Sequence, residues 1–131
     1  MKLREVAELV GARFLTGEDL ADREVCAGFA ADLLSDVLAM VREEGVLLIT
    51  GTVTAQVVRV AEVMNLAGVL FVHGKVPAKP TVDYAAAAGI PLLATPRIMY
   101  ESCGILYAHG LPPAKRKPLP YEHNHPHSSP P

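Results

Sequence analysis

The chain has 131 residues, half of them hydrophobic, with 12 Lys and Arg against 14 Asp and Glu; this is the size of one compact domain and leaves too little material for two cores. Residues 1–110 hold 9 basic and 13 acidic side chains, a balance without the Lys/Arg stripe that nucleic-acid binding needs. The longest apolar runs, such as Gly45–Ile49 and Gly68–Val72, fall far short of the ~20 residues that cross a bilayer, and Met1–Glu5 does not open a signal peptide, so a cytoplasmic protein away from membranes is expected.

Leu3, Val6, Leu9 and Val10 recur at helical spacing and Gly11 follows them as a terminator, which predicts a short first helix. Arg13-Phe14-Leu15 reads as a brief strand closed by the turn residues Thr16-Gly17-Glu18-Asp19. Val25–Phe29 is compatible with a second strand, and Asp32 is placed to cap a helix that carries Leu33, Leu34, Val37, Leu38 and Val41 on its apolar side and ends at Glu43-Glu44-Gly45. From there a regular pattern begins. Gly45–Val53 overlays Gly68–Val76 at an offset of 23 with five of nine residues identical, and a further step of 23 reaches Pro91–Arg97. Each unit is an apolar run, a small or polar loop and a helical stretch, the last at Thr54–Asn65, Pro80–Ala88 and Pro96 to about Tyr107. Continuous apolar runs joined by such crossovers predict an α/β layer structure, a mainly parallel or mixed sheet flanked by helices. The domain is expected at 1–110. Residues 111–131 hold seven of the eleven prolines and are expected to form a Pro/His-rich flexible tail, disordered or draped, outside the core.

In a parallel sheet the loops that leave the carboxyl ends of the strands share one edge, and ligands bind there. The repeat places Thr50-Gly51-Thr52-Val53-Thr54, His73-Gly74-Lys75 and Thr95-Pro96-Arg97 at that edge, with Asp32 in a fourth loop. Gly51 and Gly74 let the backbone approach a ligand, the hydroxyls of Thr50, Thr52 and Thr54 donate, and Lys75 and Arg97 bring positive charge. Together they compose a candidate anion site; singly, Thr54, Thr95 and Asp32 read equally well as helix caps, and His73 as a loop residue. No phosphate-binding loop, dinucleotide fingerprint, nucleophile elbow or zinc-protease motif occurs. No cofactor or metal is therefore expected. His123, His125 and His127 alternate in the tail and offer only opportunistic metal contacts. Cys26 and Cys103, 77 residues apart, are expected as small core residues.

Several segments, in order and spacing, resemble the DRTGG-domain family: Gly28–Ala39, Leu48–Gly51, Val57–Glu62, Val72–Lys75, Gly89–Thr95 and Met99–Gly104. The likeness covers about residues 1–107 and is with the small stand-alone members often encoded near iron hydrogenases. The string that gives the family its name is replaced here, its positional counterpart being Thr50-Gly51-Thr52. Similar domains accompany CBS domains in some pyrophosphatases, occur in some phosphate acetyltransferases and look like the N-terminal domain of HPr kinase. The resemblance implies a regulatory, ligand-sensing module with no catalytic residues.

Non-catalytic binding of a small anionic metabolite or nucleotide at the strand-end loops is thus the leading expectation. The alternatives are a structural adaptor for a redox or hydrogenase complex and, in last place, a phosphoryl- or acyl-transfer enzyme. A homodimer is expected as well, because Val57, Val58, Val60, Ala61, Val63 and Met64 occupy more than one stripe of their helix and Met40 stands off the line of Leu34, Val37, Leu38 and Val41.

Overall fold

In the computed structural model the described residues, 1–118, run α1 (Leu3–Val10), β1 (Arg13–Thr16), a 3-10 turn (Glu18–Leu20), β2 (Ala27–Ala30), α2 (Leu34–Met40), β3 (Val46–Thr50), α3 (Ala55–Val63), β4 (Gly68–Phe71), α4 (Lys79–Ala88), β5 (Leu92–Ala94) and α5 (Met99–Ala108). The five strands form one sheet in the order β1-β5-β4-β3-β2. β2 to β5 are parallel neighbours and β1 closes the far side antiparallel to β5. The expected α/β class and its mainly parallel sheet are therefore observed. No helix among the described residues is long and apolar enough to cross a membrane.

The apolar runs explain the layering. Every residue of β3 and β4 is buried, so both faces of the sheet need cover. Leu48, Val69, Phe71 and Leu92 meet Val37, Val57, Val58, Ala61 and Ala85 from α2, α3 and α4. On the reverse face Leu47, Ile49, Leu70 and Leu93 meet Leu3, Val6, Val10 and Leu106 from α1 and α5. Alternation along each strand sorts the two cores.

Helix boundaries follow the predicted ones closely, with one informative exception. The last helix starts at Met99, not at Pro96, because Thr95 and Arg97 are engaged with the carbonyl of Val10 and hold the chain out of helical geometry. The 23-residue repeat also differs from the register of the sheet. Leu47, not Gly45, stands beside Gly68, so the repeat is one of composition and its two loop glycines serve different ends: Gly74 has φ +68 and is exposed, whereas Gly51 is buried. Gly68 is required by space. A Cβ there would lie 3.1 Å from the Pro91 carbonyl oxygen, which accepts the Val69 N–H.

The expected separation of the tail from the core is corrected for its first residues. Leu111 and Ala114 are buried, the former against Gly28 on one face of the sheet and the latter in the core on the other. Gly28 N–H donates to the Pro112 carbonyl and Ala114 N–H to that of Gly28. Further along, Arg42 N–H donates to Lys115, Lys117 N–H to Met40, and Lys115 N–H to the Glu43 carboxylate. Residues 112–114 thus run along the outer side of β2 and 115–117 beside the end of α2, and their prolines cost little there because a bordering segment need not donate at every position. His123, His125 and His127 lie outside the described residues.

Leu111→Ala is expected to lower stability by about 2–3 kcal/mol through loss of buried volume, whereas Pro113→Ala, at an exposed position, should stay within about 0.5 kcal/mol. Urea unfolding of the two variants checks this; equal effects would mean that the segment does not close the core.

Candidate functional site

The sequence-predicted loops do meet at the carboxyl edge of the sheet, and hydrogen bonds join them in two groups. In the first, Asp32 Oδ1 accepts from Gly51 N–H at 2.8 Å and from the Thr50 hydroxyl at 3.3 Å. Thr50 Oγ1 in turn accepts from Thr52 N–H at 3.1 Å, and the Thr52 hydroxyl donates to the Asp32 carbonyl at 2.8 Å. These bonds correct one expectation. Asp32 does not cap α2, whose N-cap is Leu33 with no side-chain bond; its carboxylate braces the end of β3.

In the second group His73 N–H donates to the Arg97 carbonyl at 2.8 Å and Gly74 N–H to that of Thr95 at 3.1 Å. The buried Thr95 hydroxyl donates to the Val10 carbonyl at 2.7 Å and accepts from Arg97 N–H. Thr95 is therefore a brace between β5 and α1, not a helix cap, and the N-cap of α5 is Ile98. Arg97 is likewise committed: Nε donates to the Val10 carbonyl and Nη1 pairs with Glu101 at 3.0 Å. Thr54 does hold the N-cap position of α3 but makes no side-chain cap bond.

His73 joins the two groups. It has φ +65, a left-handed conformation unusual for a residue with a side chain, and its ring lies over Gly51. A Cβ on Gly51 would stand 3.2 Å from His73 Nδ1 and 3.4 Å from Asp32 Oδ1; the missing side chain is what lets imidazole and carboxylate flank the same peptide. Lys75 follows on the same turn, exposed and without an ion pair or side-chain hydrogen bond among the described residues.

Three cavities accompany this edge or lie away from it. One of about 260 Å³ opens beside Gly74, Thr95 and Pro96, with Gly11, Arg13 and Val76 across from them. Sequence reading placed Arg13 only in a strand. Its position at the carboxyl edge is visible in the register, where it stands opposite Ala94 at the end of β5. A larger cavity, about 460 Å³, is at the opposite edge among Arg23, Glu24, Glu44, Glu62 and Asn65. There Glu24 holds the terminal amine, Glu62 accepts from the Tyr84 hydroxyl and Arg23 donates to the Ala67 carbonyl, so most of its charged groups have structural partners. A third, about 140 Å³ and mostly apolar, lies between β2, α5 and Leu111.

Cys26 is exposed, in contrast to the core position expected for it, because Val25 and Ala27 on either side take the buried positions. Its thiol donates to the Glu44 carbonyl. Burial first, and Glu43 next to it second, push the Cys26 thiol up; burial alone pushes Cys103 up. Both shifts favour the thiol over the thiolate, which is the nucleophile. No three His, Cys, Asp or Glu side chains among the described residues group to hold a metal ion.

No family model matches the chain, and no curated protein matches it in sequence. In structure it is similar to the CBS and DRTGG domains of the regulatory region of Clostridium perfringens pyrophosphatase, a crystal structure complexed with the activator diadenosine tetraphosphate. The TM-score is 0.63 at 15% identity, over 80% of this chain and 45% of that one. At this identity the likeness is one of fold, and it supports a DRTGG-like fold. The chain spans less than half the length of the solved chain that it matches.

Replacement of Asp32 tests the brace. Asp32→Ala leaves the buried Gly51 N–H without its acceptor and should cost about 1–3 kcal/mol, while Asp32→Asn, which keeps an acceptor oxygen, should lose less. Thermal unfolding of both variants decides this. Equal losses would assign the effect to charge and not to the hydrogen bonds.

Proposed function

We propose that this chain is a regulatory module without catalysis of its own, which binds a small anionic metabolite or nucleotide at the carboxyl edge of its sheet and passes the bound state to a partner. The observation that carries this reading is Lys75. The turn that bears it is held by two backbone bonds to the β5 loop, yet its side chain has no anionic partner among the described residues. Thr95 and Arg97 hold that turn, while Asp32, Thr50 and Thr52 brace the neighbouring loop beside His73. A fold shared with the regulatory region of a pyrophosphatase, solved with a nucleotide activator, supports a sensing role. The setting is proposed as cytoplasmic from the N-terminal sequence, and company with redox enzymes of the hydrogenase type is what the family resemblance implies.

A thermal-shift screen with nucleotides, acyl phosphates and inorganic phosphate tests the reading. A ligand at 100 times its dissociation constant should add about 2.7 kcal/mol to stability, and Lys75→Ala should weaken binding severalfold. No stabilisation by any anion would remove the proposal.

Exposed apolar residues favour a second reading alongside the first, in which the partner is another copy of the chain or a redox-complex protein. Leu33 and Leu38 on the α2 side and Val63 on α3 are 66%, 48% and 74% exposed, on adjacent helices that the sheet cannot cover. A homodimer through these helices should give twice the mass of one chain in light scattering at micromolar concentration, and Leu38→Glu with Val63→Glu should return it to one. A single-chain mass that does not rise with concentration would overturn the dimer.

A further inference from the structure

The fold sends the helices after β2, β3 and β4 to one face of the sheet and the helix after β5 to the other, as the two cores show. The chain therefore leaves β4 and β5 toward opposite faces, and between neighbouring parallel strands this is the place where α/β sheets form a ligand crevice. The two loops stay tied by the His73–Arg97 and Gly74–Thr95 backbone bonds, and the cavity of about 260 Å³ lies where they meet the turn from α1 into β1.

We infer that this crevice is the anion subsite, that Arg13 is its anchoring cation, and that the ligand is a phosphomonoester on a compact planar body, a nucleoside monophosphate; the inference rests on the anion-sensing reading above and narrows it. Arg13 is exposed, lines the cavity, and its side chain makes no ion pair or hydrogen bond among the described residues. Arg4, Arg97 and Lys79, by contrast, are each paired with a carboxylate. No carboxylate lines the cavity, so Arg13 sets its charge. A guanidinium offers a planar fork that fits two phosphate oxygens at once. Lys75, between the lining residues Gly74 and Val76, adds a second positive charge to the same turn. Two cations suit a phosphate dianion better than a single carboxylate.

The walls supply the rest of the specificity. Ala12, Val76, Ala94 and Pro96 are apolar, a surface for a ring face. Gly11 and Gly74, with φ +64 and +68, have open space where a Cβ would stand, so bare backbone borders the crevice at both turns and a ligand can come close to it. The volume, about 260 Å³, is a little below the ~300–1,000 Å³ usual for ligand pockets and matches one phosphate with a compact body.

Amide-resolved NMR titration of the full chain with each of AMP, GMP, CMP and UMP, and separately with adenosine and inorganic phosphate, tests the inference. At least one monophosphate should move the amides of Gly11, Ala12, Gly74 and Val76, and bind more tightly than adenosine or phosphate alone. Arg13→Gln should weaken that binding at least about tenfold with unchanged thermal stability, and Arg13→Lys should retain part of it. Phosphate alone binding as tightly as every monophosphate would overturn the ligand class. Binding that moves Gly51–Thr54 and His73 but is untouched by Arg13→Gln would overturn this inference and leave the anion-sensing reading standing. If no anion moves any amide of the carboxyl edge, both fall.

Discussion

Two strands that are buried at every position set the terms for everything else in this fold. β3 and β4 have no side to offer to water, so the chain must lay helices on both faces, and parallel neighbours admit essentially one hand of crossover. Three successive crossovers of one hand put α2, α3 and α4 on a single face. The other face is then left to the first and last helices, and α1 and α5 pack together across it. The departure of α4 and α5 to opposite faces after neighbouring strands is a consequence of this arithmetic of faces and needs no special sequence of its own. A site can arise there without leaving a motif.

The polar groups at the carboxyl edge show how such an edge is made rigid without regular structure. Thr50 and Thr95 are both buried, both end or follow a strand, and each uses its hydroxyl to donate to one neighbour and to accept a backbone N–H two residues on. The result is two short turns of the same design, one tied to the β2 loop through Asp32 and the other to the end of α1 through Val10. Every buried side-chain nitrogen and oxygen among the described residues has a partner. This is what a low-dielectric interior demands, since an unpaired polar group there costs more than the bond returns.

The order and type of elements were legible because β3, β4 and β5 each carried an apolar run and each crossover a helical period. Gly11, Gly89 and Pro80 marked ends that local conformation enforces, with both glycines in the left-handed region. What was not legible depended on contacts far apart in sequence. Asp32 looked like a cap because capping is decided within four residues, whereas its actual partner is 19 residues away. Arg97 looked free because Val10, which occupies it, is 87 residues distant. Arg13 attracted no notice for the same reason: only the antiparallel pairing with β5 carries it to the edge where the loops gather. Leu111 and Ala114 were hidden by proline-rich surroundings that resemble a solvated linker.

The course of residues 112–114 along β2 also bears on synthesis. β2 is followed by more than 80 residues before the segment that lies beside it is made, and β1, at the other side of the sheet, waits nearly as long for β5. A chain emerging from the ribosome therefore carries an unpaired β1 and an open outer edge on β2 until the last part of the domain is available. Pairings of such separation are slow to form, and unpaired strands attract other chains. The window closes from both sides almost together, β1 with the synthesis of β5 and β2 with that of residues 112–114.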